Sequence, residues 1–230
     1  TNGGASITSI GGNVSVIGTA GSGIGGDHHG VRVFNAASIS AGSSGTVTVS
    51  GTGGGPAATG GCFGVDVRAS GAIITSSGGN VSVTGQGGTC IQNNGVVLAG
   101  PTSGTPTTIT SGGSGTVTVT GTGNGVSGSS IDDGVTLAVL ARITSGGSGA
   151  VQVTGTAGNS AGSAGVQLFT GAAAPSINSG GGPITVTGTS ATGLGIVTAT
   201  SSQIAPSPSA AVTMIADSMI VLPAPVGATA

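Results

Sequence analysis

Short runs of alternating apolar and polar residues recur along the chain at a nearly constant interval. Each run is a Val-x-Val motif or a close variant, and the first apolar residues of successive motifs are 33, 34, 36, 34, 33 and 28 residues apart. Period-2 alternation over a few residues is typical of a strand with one buried face. The seven motifs begin at Val14, Val47, Val81, Val117, Val151, Ile184 and Val212.

Two further apolar marks accompany each motif. An isoleucine precedes it by 7 or 8 residues, and a short apolar pair follows it. The isoleucines are Ile7, Ile39, Ile74, Ile109, Ile143, Ile177 and Ile204. The pairs are Val31/Val33, Val65/Val67, Val96/Leu98, Val135/Leu137, Val166/Leu168, a single Ile196, and Ile220/Leu222. Three short strands per repeat, separated by Gly, Ser and Asn corners, predict an all-β fold, a parallel β-helix or β-solenoid of about seven coils of ~33–34 residues. Right-handed winding is expected from the chirality of parallel crossovers.

In such a solenoid each inward residue meets its counterpart in the next coil, ~4.8 Å away. The preceding isoleucines form one predicted inward column, and seven coils give a rod of about 34 Å. A second column contains Val16, Val49, Val83, Val119, Val153, Val186 and Met214. Glycines end the motifs, where we expect sharp turns with left-handed backbone. They are Gly18, Gly51, Gly85, Gly121, Gly155 and Gly188.

The last part of the chain differs from the rest, so we divide it into residues 1–200, about six Val-x-Val coils, and residues 201–230. The final segment is rich in proline and contains Pro206, Pro208, Pro223 and Pro225. It is predicted either to cap the solenoid or to dock on the first coil of a neighbouring subunit, because an open sheet edge templates further strands. The candidate assembly residues are Met214, Ile215, Met219, Ile220, Val221 and Leu222.

The composition narrows the function classes. With 3 Lys+Arg and 5 Asp+Glu in 230 residues, the chain lacks the basic surface that nucleic-acid binding requires. No run of about 18 apolar residues predicts a membrane span. Asp132-Asp133, the only adjacent carboxylates, have no basic or aromatic partners of the kind that glycan-cleaving enzymes use, so no catalytic residues are predicted. Asp27-His28-His29 is expected to be an exposed turn rather than a metal site, and no cofactor is predicted.

Two pairs of residues test the proposed stacking. Cys62 and Cys90 lie in the same corner of adjacent coils, so a disulfide is predicted, which fits an oxidising, extracytoplasmic setting. The alternative is two small buried thiols. Arg32 and Asp66 occupy the same outward position of successive coils, where we expect an exposed cross-strand pair contributing ~0.2–1 kcal/mol.

Outward positions of the Val-x-Val strands carry many hydroxyl groups. The candidate flat threonine face comprises Thr48, Thr84, Thr118, Thr120, Thr154, Thr185 and Thr187. Its pattern resembles the Thr-x-Thr face of β-solenoid ice-binding proteins, although threonine is also simply a favourable outward strand residue. The length variation is expected in one corner only, between each motif and the next apolar pair. This edge would carry specificity for a surface glycan or receptor, or would be a solvated spacer.

Two segments resemble a known class of proteins. Ser-Gly-Gly-Ser-Gly-Thr-Val-Thr-Val-Thr-Gly-Thr-Gly at 111–123 and Ser-Gly-Gly-Asn-Val-Ser-Val-Thr-Gly at 77–85 are similar to repeats of filamentous-haemagglutinin and autotransporter-adhesin bacterial surface proteins. The resemblance spans about residues 1–200. It implies a secreted, stiff β-helical rod at the bacterial cell surface. The expected function is therefore a non-enzymatic extracellular structural protein, an adhesin segment or a filament subunit that self-associates head to tail, with a host receptor or glycan as a further partner. The alternative is a ligand-binding solenoid that binds ice through the threonine face or glycan through the variable edge.

Overall fold

All regular elements in the described parts of the chain are β-strands. The computed structural model describes residues 4–55, 60–125, 131–169, 171–207 and 210–222. These residues form three parallel sheets of seven strands each, and successive strands along the chain go to different sheets. The predicted all-β parallel solenoid with three strands per coil is thereby confirmed. None of the described residues belongs to a helix long and apolar enough to cross a membrane.

Each sheet takes every third strand. Sheet A contains β1 (Ser6–Ser9), β4 (Ser38–Ala41), β7 (Ile73–Ser76), β10 (Thr107–Ser111), β13 (Ala141–Ser145), β16 (Ser176–Ser179) and β19 (Gln203–Pro206). Sheet B contains the Val-x-Val strands β2 (Val14–Thr19), β5 (Val47–Thr52), β8 (Val81–Gln86), β11 (Val117–Thr122), β14 (Val151–Thr156), β17 (Ile184–Thr189) and β20 (Val212–Ala216). Sheet C contains β3 (Val31–Phe34), β6 (Val65–Arg68), β9 (Val96–Ala99), β12 (Val135–Ala138), β15 (Ala164–Leu168), β18 (Leu194–Thr198) and β21 (Met219–Val221).

The strand register places identical or similar residues on top of one another. Val83 pairs with Val49 on one side and Val119 on the other. The isoleucine column of sheet A likewise runs unbroken from Ile7 to Ile204. Both predicted inward columns are therefore confirmed. Stacking allows a chain with few large apolar residues to build one continuous core, because each side chain is buried by its neighbours in adjacent coils.

The core is fully enclosed only in the middle of the rod. Strands of the second to sixth layers bury their inward side chains, whereas β1, β19, β20 and β21 leave most of theirs partly or fully exposed. The predicted seven coils therefore correspond to about five complete turns with an open layer at each end. An end layer has a covering coil on one side only, which explains its exposure.

The glycines that follow the Val-x-Val motifs are not left-handed turns, so that prediction was wrong. Gly51 lies inside β5, and the described glycines with positive φ are others, such as Gly71 and Gly104. A Cβ on Gly51 would overlap the carbonyl oxygen of Gly64, where the chain enters sheet C. The same overlap recurs along the column, as between Gly121 and Gly134. Glycine is required there because two backbones approach closely.

Two corners of the coil differ from each other: serine hydrogen bonds stabilise one, and the other varies in length. At the corner between sheets A and B, inward serines cap the turn: the Ser145 hydroxyl donates to the Gly149 carbonyl at 2.6 Å, and the Ser111 hydroxyl to the Gly79 carbonyl at 3.1 Å. The corner between sheets C and A varies in length, from residues 139–140 to residues 100–106. The prediction that only one corner varies was therefore wrong.

The last coil continues all three sheets. β19 and β20 take the predicted register, but Ile196 pairs with Met219 rather than with Ile220. Only Asp217 and Ser218 separate β20 from β21, so pairing begins one residue earlier than predicted. Of the proline positions named for this segment, Pro206 ends β19, while Pro208, Pro223 and Pro225 lie outside the described residues.

Candidate functional site

The outward face of sheet C carries a cluster of charged residues beneath the loops that join sheets B and C. Arg32 and Asp66 pair in register, as predicted, and Arg32 Nε lies 3.2 Å from Asp66 Oδ2. Arg68 Nε donates to Asp66 Oδ1 at 3.0 Å, and His29 Nε2 lies 3.7 Å from Oδ2. The Asp66 side chain has 0% exposure, so the prediction of an exposed pair was wrong. The two arginines are needed to compensate the charge of this buried carboxylate, because an unpaired buried charge strongly destabilises a fold.

Aromatic rings cover the charged cluster. His29 stacks on Phe63 with ring centroids 4.9 Å apart, and the Arg68 guanidinium lies 5.5 Å from the centre of the Phe63 ring. The Phe63 amide also donates to His29 Nδ1 at 3.3 Å. Both loop residues precede sheet C strands, so the loops fold back over the outward face. This contact explains why Asp66 is buried.

The Asp27-His28-His29 segment is only partly an exposed turn. Asp27 is exposed, but the His29 side chain is 5% exposed, because it packs against Phe63 and Asp66. Burial lowers the pKa of His29, and the nearby Asp66 carboxylate opposes this shift. Among the described residues, no three His, Cys, Asp or Glu side chains come together as metal ligands.

Cys62 and Cys90 are joined as a disulfide between the loops of two adjacent coils. Their Cα atoms lie 5.6 Å apart, within the usual range for a disulfide, and both side chains are buried. Next to the bridge, Asn93 Nδ2 donates to the Cys90 carbonyl at 2.7 Å. The disulfide thus fixes the loop layer that covers sheet C.

Asp132 is part of a buried polar network in the same layer of loops. Its carboxylate accepts hydrogen bonds from Asn93 Nδ2 at 3.0 Å and from the Ser160 hydroxyl. Its amide donates to the Ser163 hydroxyl at 2.8 Å. These partners belong to the coil before and the coil after that of Asp132, so Asp132 links the loops of three successive coils.

Asp133 is fully buried beside Asp132 and bonds to the next coil. Its carboxylate accepts from the Ala164 amide at 2.7 Å and from the Thr136 hydroxyl at 2.8 Å. In the amide orientation that satisfies both of its polar atoms, the Gln167 side chain donates its nitrogen to Asp133 Oδ2 at 2.8 Å. Burial raises the pKa of Asp133 to about 6, against the opposing effect of the Ala164 and Thr136 hydrogen bonds. The two carboxylates are buried and have structural partners.

The sequence did not predict this polar layer. Asn93 and Asn94 are buried: the Asn94 amide donates to the Thr136 hydroxyl at 3.0 Å and accepts from the Asp133 amide. The one available signal was the recurrence of Asn-Asn or Asp-Asp directly before Gly at the same place in successive coils, at Asn93-Asn94 and Asp132-Asp133.

The candidate threonine face lies on the outward side of sheet B, in two in-register columns. One contains Thr48, Thr118 and Thr185, and the other contains Thr84, Thr120, Thr154 and Thr187. Ser50, Ser82 and Gln152 occupy the remaining places in these five layers. All of these side chains are partly or fully exposed.

A third polar column runs beside these two. It contains Thr19, Thr52, Gln86, Thr122, Thr156 and Thr189. Sequence reasoning missed it because the preceding glycine was interpreted as the end of the strand, whereas the strand continues one residue further. The recurring Gly-Thr dipeptide was the available signal. The outward face of sheet B is thus three side chains wide, and none of these positions in the second to sixth layers is charged.

No protein-family model matches the chain, and neither a curated protein nor a solved structure is similar enough to match it. The class that the fold defines is therefore the parallel β-solenoid repeat proteins.

Proposed function

We propose that this chain is a non-enzymatic structural protein, a β-helical rod that serves outside the cell as an adhesin segment or as a subunit of a surface filament. The observation that carries the proposal is the single apolar core that runs through successive coils of all three sheets. Such a core resists bending and local unfolding, because each coil is held by its two neighbours.

Three further observations support the non-enzymatic, extracellular role. Asp132 and Asp133, the adjacent carboxylates, are buried and hydrogen-bonded to structural partners. The Cys62–Cys90 disulfide fits an oxidising compartment. The repeats at 77–85 and 111–123 resemble those of filamentous-haemagglutinin and autotransporter-adhesin proteins, which are bacterial surface rods.

Protease accessibility and thiol trapping on intact source cells test this role. An antibody against the rod should bind intact cells, external protease should remove that signal, and Cys62 and Cys90 should resist alkylation until a reductant is added. A protease-protected chain with freely alkylated cysteines would place the protein in a reducing interior and contradict the proposal.

Ice binding through sheet B is the second candidate, and the three-column outward face of that sheet, where most positions carry a hydroxyl group, favours it. The hydroxyl groups repeat along the rod at the ~4.8 Å spacing of the strands. Thermal hysteresis should then be measurable and should be lost in Thr120→Lys, but not in Thr144→Lys on the outward side of sheet A. The absence of hysteresis in the unmodified chain would eliminate this candidate. Glycan binding through the loop edge has weaker support, because the polar side chains Asn93, Asn94, Asp132 and Asp133 bond to one another and to neighbouring loops.

A further inference from the structure

Large exposed apolar side chains are concentrated at the two ends of the rod. In the described residues, the first coil exposes five of them and the last coil six, whereas Ile91 is the one in between. Those of the first coil are Ile7, Ile10, Ile17, Ile24 and Phe34. Those of the last coil are Val212, Ile215, Met219, Ile220, Val221 and Leu222. Exposed apolar side chains concentrated in one part of a molecule are typical of an interaction site.

Both ends also present unpaired strand edges. β1, β2 and β3 pair only with β4, β5 and β6, and β19, β20 and β21 pair only with β16, β17 and β18. Each end layer therefore has a row of backbone groups without a partner strand in the described part of the chain. Such edges are templates for pairing with a further strand.

One outward column distinguishes the ends from the middle. Ile17 stands at the start of the central column of sheet B and Ile215 at its end. Every described position between them carries a hydroxyl group: Ser50, Thr84, Thr120, Thr154 and Thr187. Ile17 is 78% exposed and Ile215 is 53% exposed. Isoleucine replaces a hydroxyl residue only in the two layers that lack a neighbour on one side.

The inward columns also carry apolar side chains in both the first and the last layer. An open cavity of about 320 Å³ exposes the core at the first coil, lined by Ile7, Val16 and Val33 among others. The same columns end at Ile204, Met214 and Val221 in the last coil. If the last layer of one chain were placed on the first layer of another, each apolar column would continue across the joint.

Charge does not oppose this contact. Arg32, the charged residue on the outward side of β3, is balanced by Asp66 in its own chain at 3.2 Å and lies 4.9 Å from the centre of the Phe34 ring. Asp217, beside β20, accepts hydrogen bonds from the Ser190 and Ser218 amides of its own chain. Asp27, the other charged residue of the first coil, has its Oδ2 3.9 Å from Arg32 Nη1, so each charged side chain of the two described end layers has a partner within its own chain.

We propose that a second copy of this chain covers each end, with β19, β20 and β21 of one copy pairing in parallel with β1, β2 and β3 of the next. This inference rests on the proposed structural role and deepens it by naming the partner and the joint. The register continues that of the molecule, so Ile215 lies beside Ile17, Met214 beside Val16 and Ile204 beside Ile7. The joint is heterologous and repeats along one axis, so the assembly is a filament.

A pair of charge variants tests the joint without disturbing the fold, because both target side chains point outward. In Ile17→Lys/Ile215→Lys every joint places two positive charges side by side. In Ile17→Glu/Ile215→Lys the same positions carry opposite charges. Cross-strand neighbours of like charge are destabilising and those of opposite charge are stabilising.

Sedimentation velocity and electron microscopy of the 230-residue chain over a concentration series give the readout. The unmodified chain should form filaments. The Lys/Lys variant should require about tenfold or more higher concentration to assemble, and the Glu/Lys variant should recover assembly in a salt-sensitive manner. Circular dichroism should be the same for all three.

Two outcomes would overturn the joint. In one, the unmodified chain stays monomeric up to millimolar concentration, which would show that another structure covers the ends. In the other, it assembles but the two variants behave alike, which would show that assembly uses a different surface. Neither outcome contradicts the proposed rod or its location outside the cell, because cell-surface accessibility and thiol trapping test those separately.

Discussion

Gly51 and Ala69 are small residues of the same coil, one inside β5 and the other directly after β6, and the backbone constrains them in opposite ways. Gly51 is extended, and a Cβ there would overlap the Gly64 carbonyl. Ala69 has φ of 71° and so adopts a left-handed conformation that is unfavourable for any residue with a Cβ. Residue type alone therefore does not show which position needs glycine. The contact and the dihedral angle do.

Exchanging the two residue types should have effects of different size. Gly51→Ala forces two backbone segments apart, so we expect a loss of at least about 2 kcal/mol in the free energy of unfolding. Ala69→Gly relieves the left-handed strain but adds freedom to the unfolded chain, so we expect a change within about 0.5 kcal/mol. Denaturant unfolding of both variants measures these changes in the free energy of unfolding. Equal losses would show that Gly51 is not in a close backbone contact.

At the scale of the element, the loops between sheets B and C form a layer of their own. The Cys62–Cys90 disulfide, the Asp132 and Asp133 networks and the His29–Phe63 stack all connect loops of neighbouring coils. The layer buries polar and charged side chains, whereas the core beneath the sheets is apolar. The loops thus stabilise the stacking in addition to the ladder hydrogen bonds.

The buried carboxyl of Asp133 gives this layer a pH dependence. Its pKa is raised from 3.8 to about 6, so the folded chain holds the proton more tightly than the unfolded chain. The group's contribution to stability is greatest below about pH 4 and is lost as the pH rises through about 6, a change of about 3 kcal/mol. Asp133→Asn should therefore gain stability relative to the unmodified chain between about pH 4 and about pH 7.

Denaturant unfolding of both proteins across this pH range measures the difference. The comparison is needed because the lowered pKa of His29 acts in the opposite direction: its contribution is lost as the pH falls. His29 is unchanged in both proteins, so its effect cancels. A stability difference that stays constant with pH would show that Asp133 titrates normally.

At the scale of the whole molecule, the stacking of coils explains both the fold and the proposed role. Each coil covers the core of the next, so the interior coils are closed and the end layers remain open. The large exposed apolar side chains of the described residues lie at those open layers, with the exception of Ile91. The features that give a stable rod therefore also leave it two open apolar ends, which we propose a second copy covers.

The periodic part of this molecule could be predicted from sequence, and the non-periodic part could not. The columns of Val83 and Ile109 follow from alternation and repeat spacing, because burial in stacked strands repeats with the coil. The burial of Asp66 depends on loop residues His29 and Phe63. Their position, two residues before the first valine of a sheet C strand, recurs in the next coils, but the residue type does not: Asn94 and Asp133 stand there. The third polar column was missed because a close backbone contact at Gly51 was interpreted as a turn.

Methyl NMR of the valine side chains tests the stacked core most directly. In the 20.7 kDa chain, the Val83 methyl groups should show nuclear Overhauser contacts to both Val49 and Val119, one coil on either side, and should be protected from a soluble paramagnetic probe. Contacts from Val83 to neither valine, together with strong broadening by the probe, would show that these side chains face water and that the coils do not stack in this register.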